Sequence, residues 1–193
     1  MTARWESLLM LNYACPADLL RPHLPLGVEL DPWGGEFLVS VVGFMFLGTK
    51  VLGFAIPGHR DFEEVNLRFY VRARGSDGEL RRGVVFVREL VPKPLIAWTA
   101  RTLYEEPYLA VPMGHAIDLS PESGGKVEYS WSFGANSYRL SGEANGPAAP
   151  LIEGSEEEFI TEHYWGYTKR SRGFTSEYHV AHPRWKVWGC HSS

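Results

Sequence analysis

The chain has 193 residues, of which 45% are apolar, and a formal net charge of -4 at pH 7. This length and composition predict a single domain, residues 1–193, with a sizeable core. The charge balance and the lack of arginine runs exclude nucleic acid as a predicted partner. The longest apolar stretch, residues 37–47, is about half of a membrane span, and residues 1–6 carry no signal pattern. We therefore expect a cytoplasmic protein with no membrane partner.

Period-2 alternation of apolar and polar residues dominates the first two-thirds of the chain and predicts a mainly antiparallel, β-rich α+β fold. Residues 5–13 form the first predicted strand, and Pro16 then opens a short helix that ends at Leu20. The stretch from Glu36 to Leu47 is apolar on both faces. That pattern is typical of a central strand covered on two sides.

A β-hairpin is predicted next in the chain. Residues 64–74 alternate, the turn Gly-Ser-Asp-Gly follows at 75–78, and residues 83–90 return. Apolar side chains at helical spacing then predict a helix over residues 94–103. The hairpin and the helix together make up the middle of the predicted fold.

The last third of the chain contains a second predicted pair of strands, residues 126–133 and 136–143. Ser155 followed by three glutamates has the form of a capping box and predicts a short helix. The C-terminal region, from residue 163 onward, is aromatic-rich and strand-like. We find no internal repeat and no change of composition that would mark a domain boundary.

One face of the predicted strand 64–74 is polar, because Glu64, Asn66 and Arg68 alternate with apolar residues. In an ordinary antiparallel sheet such a row faces water. A carboxylate beside an amide, a guanidinium and the phenol of Tyr70 also resembles a hydrogen-bonded site. We favour this second interpretation, in which Arg68 holds an anionic group and Glu64 acts as acid or base.

The stretch FEEVNLRFYV at residues 62–71 resembles a signature of the DUF2071 or YqjF-like family of uncharacterised conserved proteins. The segments LPLGVEL at 24–30, GVVF at 83–86 and HPRW at 182–185 agree with it, so the resemblance covers nearly the whole chain. This family is grouped with the acetoacetate decarboxylase-like fold. The resemblance thus implies a β-barrel or cone with a few short flanking helices around a small polar cavity.

In the decarboxylases of this fold a lysine forms a Schiff base, and a glutamate and an arginine line the cavity. The resemblance implies that Glu64 is this glutamate and that Arg4, or the adjacent Trp5, lies near the position of the arginine. Tyr108 and Leu109 stand where the lysine pair would be, and neither side chain can form an imine. The residues that we predict for the site are Glu64 and Tyr108 as catalytic and Asn66, Arg68, Arg101 and Arg4 as ligand-binding.

Other motifs in the sequence do not predict a metal or a cofactor. His179 and His182 are an odd number of residues apart, so on a continuous strand they would face opposite sides, and with His163 they are poor metal ligands. Neither a dinucleotide-binding GxGxxG nor a P-loop occurs. The nucleophile elbow of a serine hydrolase is also missing.

We predict that the chain encloses a polar site for a small organic acid, so that its partner is an anionic small molecule. Whether the site is catalytic stays open at the level of the sequence. One alternative is a binding or sensing module that recognises a metabolite without converting it. Another is a structural homodimer with no ligand, which would follow if aromatic side chains of the chain filled the cavity.

Overall fold

The computed structural model describes residues 2–51 and 53–191. The strands are β1 Thr2–Ala14, β2 Val28–Leu30, β3 Leu38–Lys50, β4 Phe62–Arg74, β5 Leu80–Val91, β6 Tyr108–Ala110, β7 Met113–Ser120, β8 Gly124–Phe133, β9 Asn136–Asn145, β10 Ala149–Pro150, β11 Trp165–Lys169, β12 Thr175–His179, β13 Lys186–Val187 and β14 Cys190–His191. The helices are α1 Ala17–Leu20, α2 Pro94–Thr99 and α3 Glu156–Thr161, and α2 continues as a π-helical segment, Ala100–Tyr104. Within these residues no helix is long and apolar enough to cross a membrane.

Two sheets dominate the structure. The larger has the order β1-β3-β4-β5-β11-β12, with β2 added beside β4 and β6 beside β5, and the smaller has the order β14-β9-β8-β7. All pairings are antiparallel except those that β5 makes with β6 and β11. The predicted mainly antiparallel α+β fold is confirmed. The strands of residues 2–51 and 53–191 form open sheets and do not close into a hydrogen-bonded ring.

The predicted hairpin is formed by β4 and β5, which pair from Val65–Leu90 to Arg74–Leu80. The predicted helix 94–103 is α2 with its π-helical continuation, and β8 and β9 are the predicted second pair of strands. The predicted serine cap of α3 is also present, since the Ser155 hydroxyl accepts a hydrogen bond from the Glu158 amide at 3.2 Å. The reciprocal half of the capping box differs, because the Glu158 carboxylate accepts from the amide of Gly154, at 2.7 Å, and not from that of Ser155. Strand β7 was not predicted, although it pairs with β8 along its whole length.

Strand β4 is central and is buried on both faces. Its odd-numbered face carries Val65 and Phe69, which pack into two apolar clusters, one of them between the two sheets. That packing is close enough to require glycine at position 43, where a Cβ would lie 2.4 Å from the ring of Tyr129. The other face carries Glu64 and the rest of the polar row, and it points towards α2 and α3.

Candidate functional site

The polar row of β4 points into the protein. Glu64 is 1% exposed and Asn66 is 3% exposed, so neither side chain lies in bulk solvent. Both oxygens of the Glu64 carboxyl group are hydrogen-bonded: Oε1 accepts from Nδ2 of Asn66 at 3.0 Å, and Oε2 accepts from the hydroxyl of Tyr108 at 2.9 Å. The structure therefore brings together three of the residues that the sequence predicted for a site.

Strand register explains why these side chains meet. Asn66 on β4 is paired with Glu89 on β5, and Glu89 is in turn paired with Tyr108 on β6. Three neighbouring strands thus present polar side chains at the same level. The chain leaves the π-helical segment at Glu105 in the left-handed conformation, with φ of 53°, which is uncommon outside glycine, and the short β6 that follows is held by its pairing with β5.

Two further glutamates join Glu64, and neither was predicted for the site. Glu89 is 3% exposed, and its Oε2 is buried without a hydrogen-bond partner among the residues that the structure describes. Glu106 lies just before β6, and its Oε1 accepts a hydrogen bond from the hydroxyl of Thr168 at 2.6 Å. We call these three glutamates, Glu64, Glu89 and Glu106, the carboxyl cluster. The hydroxyl groups of Tyr108 and Tyr178 lie close to it.

Burial controls the protonation of the carboxyl cluster. Loss of hydration raises the pKa of Glu64 from 4.5 to about 7, against the lowering effect of its hydrogen bonds from Asn66 and Tyr108. Burial also raises the pKa of Glu89 well above its ordinary value, and the charges of Glu64 and Glu106 add to this effect. The pKa of Glu106 is raised for the same reason. Near neutral pH the cluster therefore holds protons, and Glu64 is poised to gain or lose one.

Arg68 lies in the middle of the polar row. Its Nη2 donates a hydrogen bond to the carbonyl oxygen of Ile160, at 2.9 Å, and its guanidinium stands over the ring of Tyr70, 5.7 Å from the centroid. Its Nε is buried and has no hydrogen-bond partner within the described parts of the chain. Arg68 is thus held through Nη2, and its Nε–H group remains available as a donor.

A second polar group lies at the other end of the row, beyond Arg68. Asp31 is 3% exposed and accepts a hydrogen bond from Nε of Arg82 at 2.7 Å. The imidazole of His163 faces the same carboxylate, with Nε2 at 3.5 Å from Oδ2 of Asp31. Tyr70 connects this group to the row, because its ring lies 4.9 Å from the ring of His163. The interior thus has two ends, with Arg68 between them. We call the carboxyl cluster the acidic end, and we call the group of Asp31, Arg82 and His163 the mixed end, because it carries groups of both charges.

Arg4 and Arg101, both predicted as ligand-binding, are not brought to the interior. Arg4 points outward, with 75% of its side chain exposed, and forms an ion pair with Glu6 at 3.2 Å. Alternation along β1 turns the next side chain, Trp5, inward, where it packs against Phe44 with 5.3 Å between ring centroids. Arg101 is exposed on the π-helical segment. An open depression of about 620 Å³ lies beside Arg4, on the outer surface.

The histidines considered for a metal are dispersed. His163 is buried beside Asp31, whereas His182 stacks on Tyr164 with 4.6 Å between ring centroids. His179 is exposed and contacts the ring of Trp165. Across residues 2–51 and 53–191, no three histidine, cysteine or acidic side chains are grouped closely enough to hold a metal ion.

A smaller depression lies on the surface beside Glu105. It has a volume of about 430 Å³ and is lined by Glu105, Arg170, Ser171, Arg172 and Phe174. Glu105 is the neighbour of Glu106 in the chain, and the charge of Arg170 lowers the pKa of Glu106. Arg170, which is ion-paired with Glu105 at 3.6 Å, thus lies close enough to the carboxyl cluster for its charge to act on Glu106.

Comparison with known proteins identifies both a family and a fold. The sequence model of DUF2071, described as an uncharacterized conserved protein, matches residues 2–193. The uncharacterized protein YqjF of Bacillus subtilis (strain 168) is 31% identical over 124 residues, which are 61% of this chain and 49% of YqjF. The chain thus spans about half the length of this curated relative.

Solved structures with the same fold are acetoacetate decarboxylase-like proteins. Acetoacetate decarboxylase from Legionella pneumophila subsp. pneumophila str. Philadelphia 1 has a TM-score of 0.58 and 14% identity, over 90% of this chain and 61% of its own. The enduracididine biosynthesis enzyme MppR, complexed with the condensation product of pyruvate and imidazole 4-carboxaldehyde, has a TM-score of 0.57 and 12% identity, over 83% and 60%. At these identities the comparison establishes the fold.

Proposed function

The chain belongs to the DUF2071 family of uncharacterized conserved proteins, and from that premise and the geometry of its interior we propose that it binds a small organic acid between Glu64 and Arg68. In this proposal Arg68 binds the carboxylate of the ligand. Glu64 exchanges a proton with another part of the same ligand. Tyr108 and Asn66 hold the Glu64 carboxyl group in position through their hydrogen bonds.

The observation that carries the proposal is the state of Glu64. A fully buried carboxyl group whose pKa is raised to about 7 is present in both protonation states near neutral pH. This is the property that general acid–base chemistry requires. A carboxyl group buried only for structural reasons would cost stability at that pH, so its presence on a polar interior face favours a role with a ligand.

Arg68 supports the anionic character of the ligand. Its unused Nε–H group is a buried donor, and a carboxylate would satisfy it with a charge-assisted hydrogen bond. The structural neighbour MppR, which is complexed with a condensation product of pyruvate, makes a short 2-oxo acid a reasonable first probe.

Imine chemistry does not form part of this proposal. Tyr108 occupies the position where the resemblance would require the lysine, and its hydroxyl group donates to Glu64. The five lysines of the sequence are Lys50, Lys93, Lys126, Lys169 and Lys186. Lys93 is half-buried and the other four are exposed. The reaction that we propose for Glu64 is therefore a direct proton transfer to or from the bound acid.

A second candidate function is a binding or sensing module without turnover. The observation that favours it is that both oxygens of Glu64 are already hydrogen-bonded, which is the arrangement expected of a site that only recognises its ligand. The two candidates share the same interior and the same ligand class. They differ in whether the bound acid exchanges a proton with Glu64.

Thermal unfolding in the presence of small acids tests the ligand class. Pyruvate or propionate, at about ten times its Kd, is expected to raise the Tm of the wild type by about 3–6 °C. Arg68→Ala is expected to abolish this rise because the carboxylate loses its anchor. Arg74→Ala, which removes an exposed arginine from the same strand, is the matched control and should keep it. The proposal is wrong if no small carboxylic acid stabilises the wild type.

A further inference from the structure

We propose that His163 is a second ligand-binding residue of the interior, and that its Nδ1 accepts a hydrogen bond from a hydroxyl group next to the carboxylate that Arg68 binds. The inference rests on the proposed function and narrows its ligand to acids with a hydroxyl group on carbon 2. A 2-hydroxy acid carries that pair of groups, and so does the enol form of a 2-oxo acid.

The first step of the argument is that Asp31 selects one tautomer of His163. Nε2 faces the buried carboxylate at 3.5 Å, and that carboxylate is held in place by Nε of Arg82 at 2.7 Å. A carboxylate beside a ring nitrogen favours the tautomer that has its proton on that nitrogen. Nδ1 is then left with a lone pair and can act only as an acceptor.

The second step is that Nδ1 of His163 has no hydrogen-bond partner in the described parts of the chain. The side chain of His163 is 1% exposed, and within residues 2–51 and 53–191 neither ring nitrogen forms a hydrogen bond, although Nε2 approaches Asp31 to 3.5 Å. Buried polar atoms in native proteins are nearly always paired, so an unpaired one indicates a missing partner. The rings of Tyr70 and Phe159, each 4.9 Å from the imidazole, leave the plane of His163 fixed.

The third step concerns the charges around the ring. Burial lowers the pKa of His163, and the charges of Arg82 and Arg68 also lower it, while Asp31 raises it. The imidazole is therefore neutral at pH 7, as an acceptor must be. Tyr70 also packs against the ring, and its hydroxyl is hydrogen-bonded to that of Ser40 at 2.5 Å.

The final step joins His163 to Arg68. Both side chains contact Tyr70, and Arg68 donates to the carbonyl of Ile160, three residues before His163. The unused N–H of Arg68 and the unused lone pair of His163 thus belong to one part of the interior. A donor next to an acceptor is complementary to a carboxylate next to a hydroxyl group.

Two-bond ¹H–¹⁵N NMR spectra of the protein without added acid test the tautomer. We expect His163 to show a protonated Nε2 and a bare Nδ1 at pH 7, and Asp31→Asn to weaken this preference. A positively charged His163, or one with the proton on Nδ1, would overturn the inference. The spectrum needs no ligand, so its outcome does not depend on the proposed function.

Titration with lactate and propionate, which differ by one hydroxyl group, tests the ligand class. We expect the wild type to bind lactate about tenfold more tightly than propionate. His163→Phe should bind the two acids equally, and His179→Phe, at an exposed histidine, should keep the preference. Equal binding of both acids to the wild type would overturn this inference and leave the proposed function intact. Binding of neither acid would overturn the proposed function itself.

Discussion

Glu64→Gln is expected to slow the exchange of the methyl protons of pyruvate with deuterium by about 10²- to 10⁴-fold relative to the wild type, which is the usual contribution of a positioned acid or base. In this reaction a C–H bond of pyruvate breaks and the proton passes to the Glu64 carboxylate. The enolate oxygen takes up a solvent proton, and the resulting enol remains beside Arg68 until the Glu64 carboxyl group, exchanged with solvent, returns a deuteron to the carbon and the enol oxygen loses its proton. Glutamine has a similar shape but cannot carry the proton.

The dependence of this exchange on pH follows from the state of Glu64. Only the carboxylate form can accept the proton, and its pKa is about 7 because burial disfavours the charge. The rate should therefore rise between pH 6 and 8 and level off above. Asn66, Tyr108, Glu106 and Arg68 are the other groups whose interactions set this pKa.

The exchange can be followed by loss of the methyl signal in ¹H NMR spectra recorded in D₂O. Glu153→Gln makes the same chemical change at an exposed carboxylate and should leave the rate unaltered. If the wild type binds pyruvate but exchanges its protons no faster than the buffer does, the non-catalytic binding module is the better account.

Phe159→Ala is expected to lower the free energy of unfolding by about 3–5 kcal/mol, because it removes a large side chain from a closed part of the interior. Phe159 is 2% exposed and lies on α3, and its ring packs against Tyr70, Trp33 and His163 with centroid distances of 5.2, 5.3 and 4.9 Å. The cavity left behind would also hydrate His163, so the pKa of His163 should rise towards its ordinary value.

Denaturant unfolding of the two proteins measures the loss of stability. Phe174→Ala is the matched control, because Phe174 is 68% exposed and its removal should change the free energy of unfolding by less than about 0.5 kcal/mol. Equal effects of the two substitutions would mean that α3 does not close the mixed end of the interior.

Local pattern was sufficient to predict the polar row but not its surroundings. Glu64 and Asn66 follow from the alternation along one strand, and Tyr108 follows from its place in the family resemblance. Arg4 was expected in the interior, but its side chain points outward and that of Trp5 points inward. Adjacent side chains of a strand face opposite sides, so an alignment that is shifted by one residue puts Arg4 in the place of Trp5.

The residues that the sequence did not indicate come together through long-range pairing. Glu89 meets Tyr108 only because β6 adds in parallel to β5, and His163 meets Asp31 although the two lie far apart in the chain. Simple alternation groups Glu89 with the apolar Val85 and Val87, but a β-bulge in β5, opposite Leu67 and Arg68 of β4, turns Glu89 to the face of Asn66 and away from Val85. A carboxylate in such a position indicates either an error of register or a buried polar site.

The most direct test of the account is the titration of the Glu64 carboxyl carbon by ¹³C NMR, assigned by comparison with Glu64→Gln. We expect a midpoint near pH 7, in keeping with a pKa of about 7 for this carboxyl group, and a displacement of the midpoint when pyruvate is added. A midpoint near the ordinary value of 4.5, unchanged by pyruvate, would show that Glu64 is hydrated and takes no part in a ligand site.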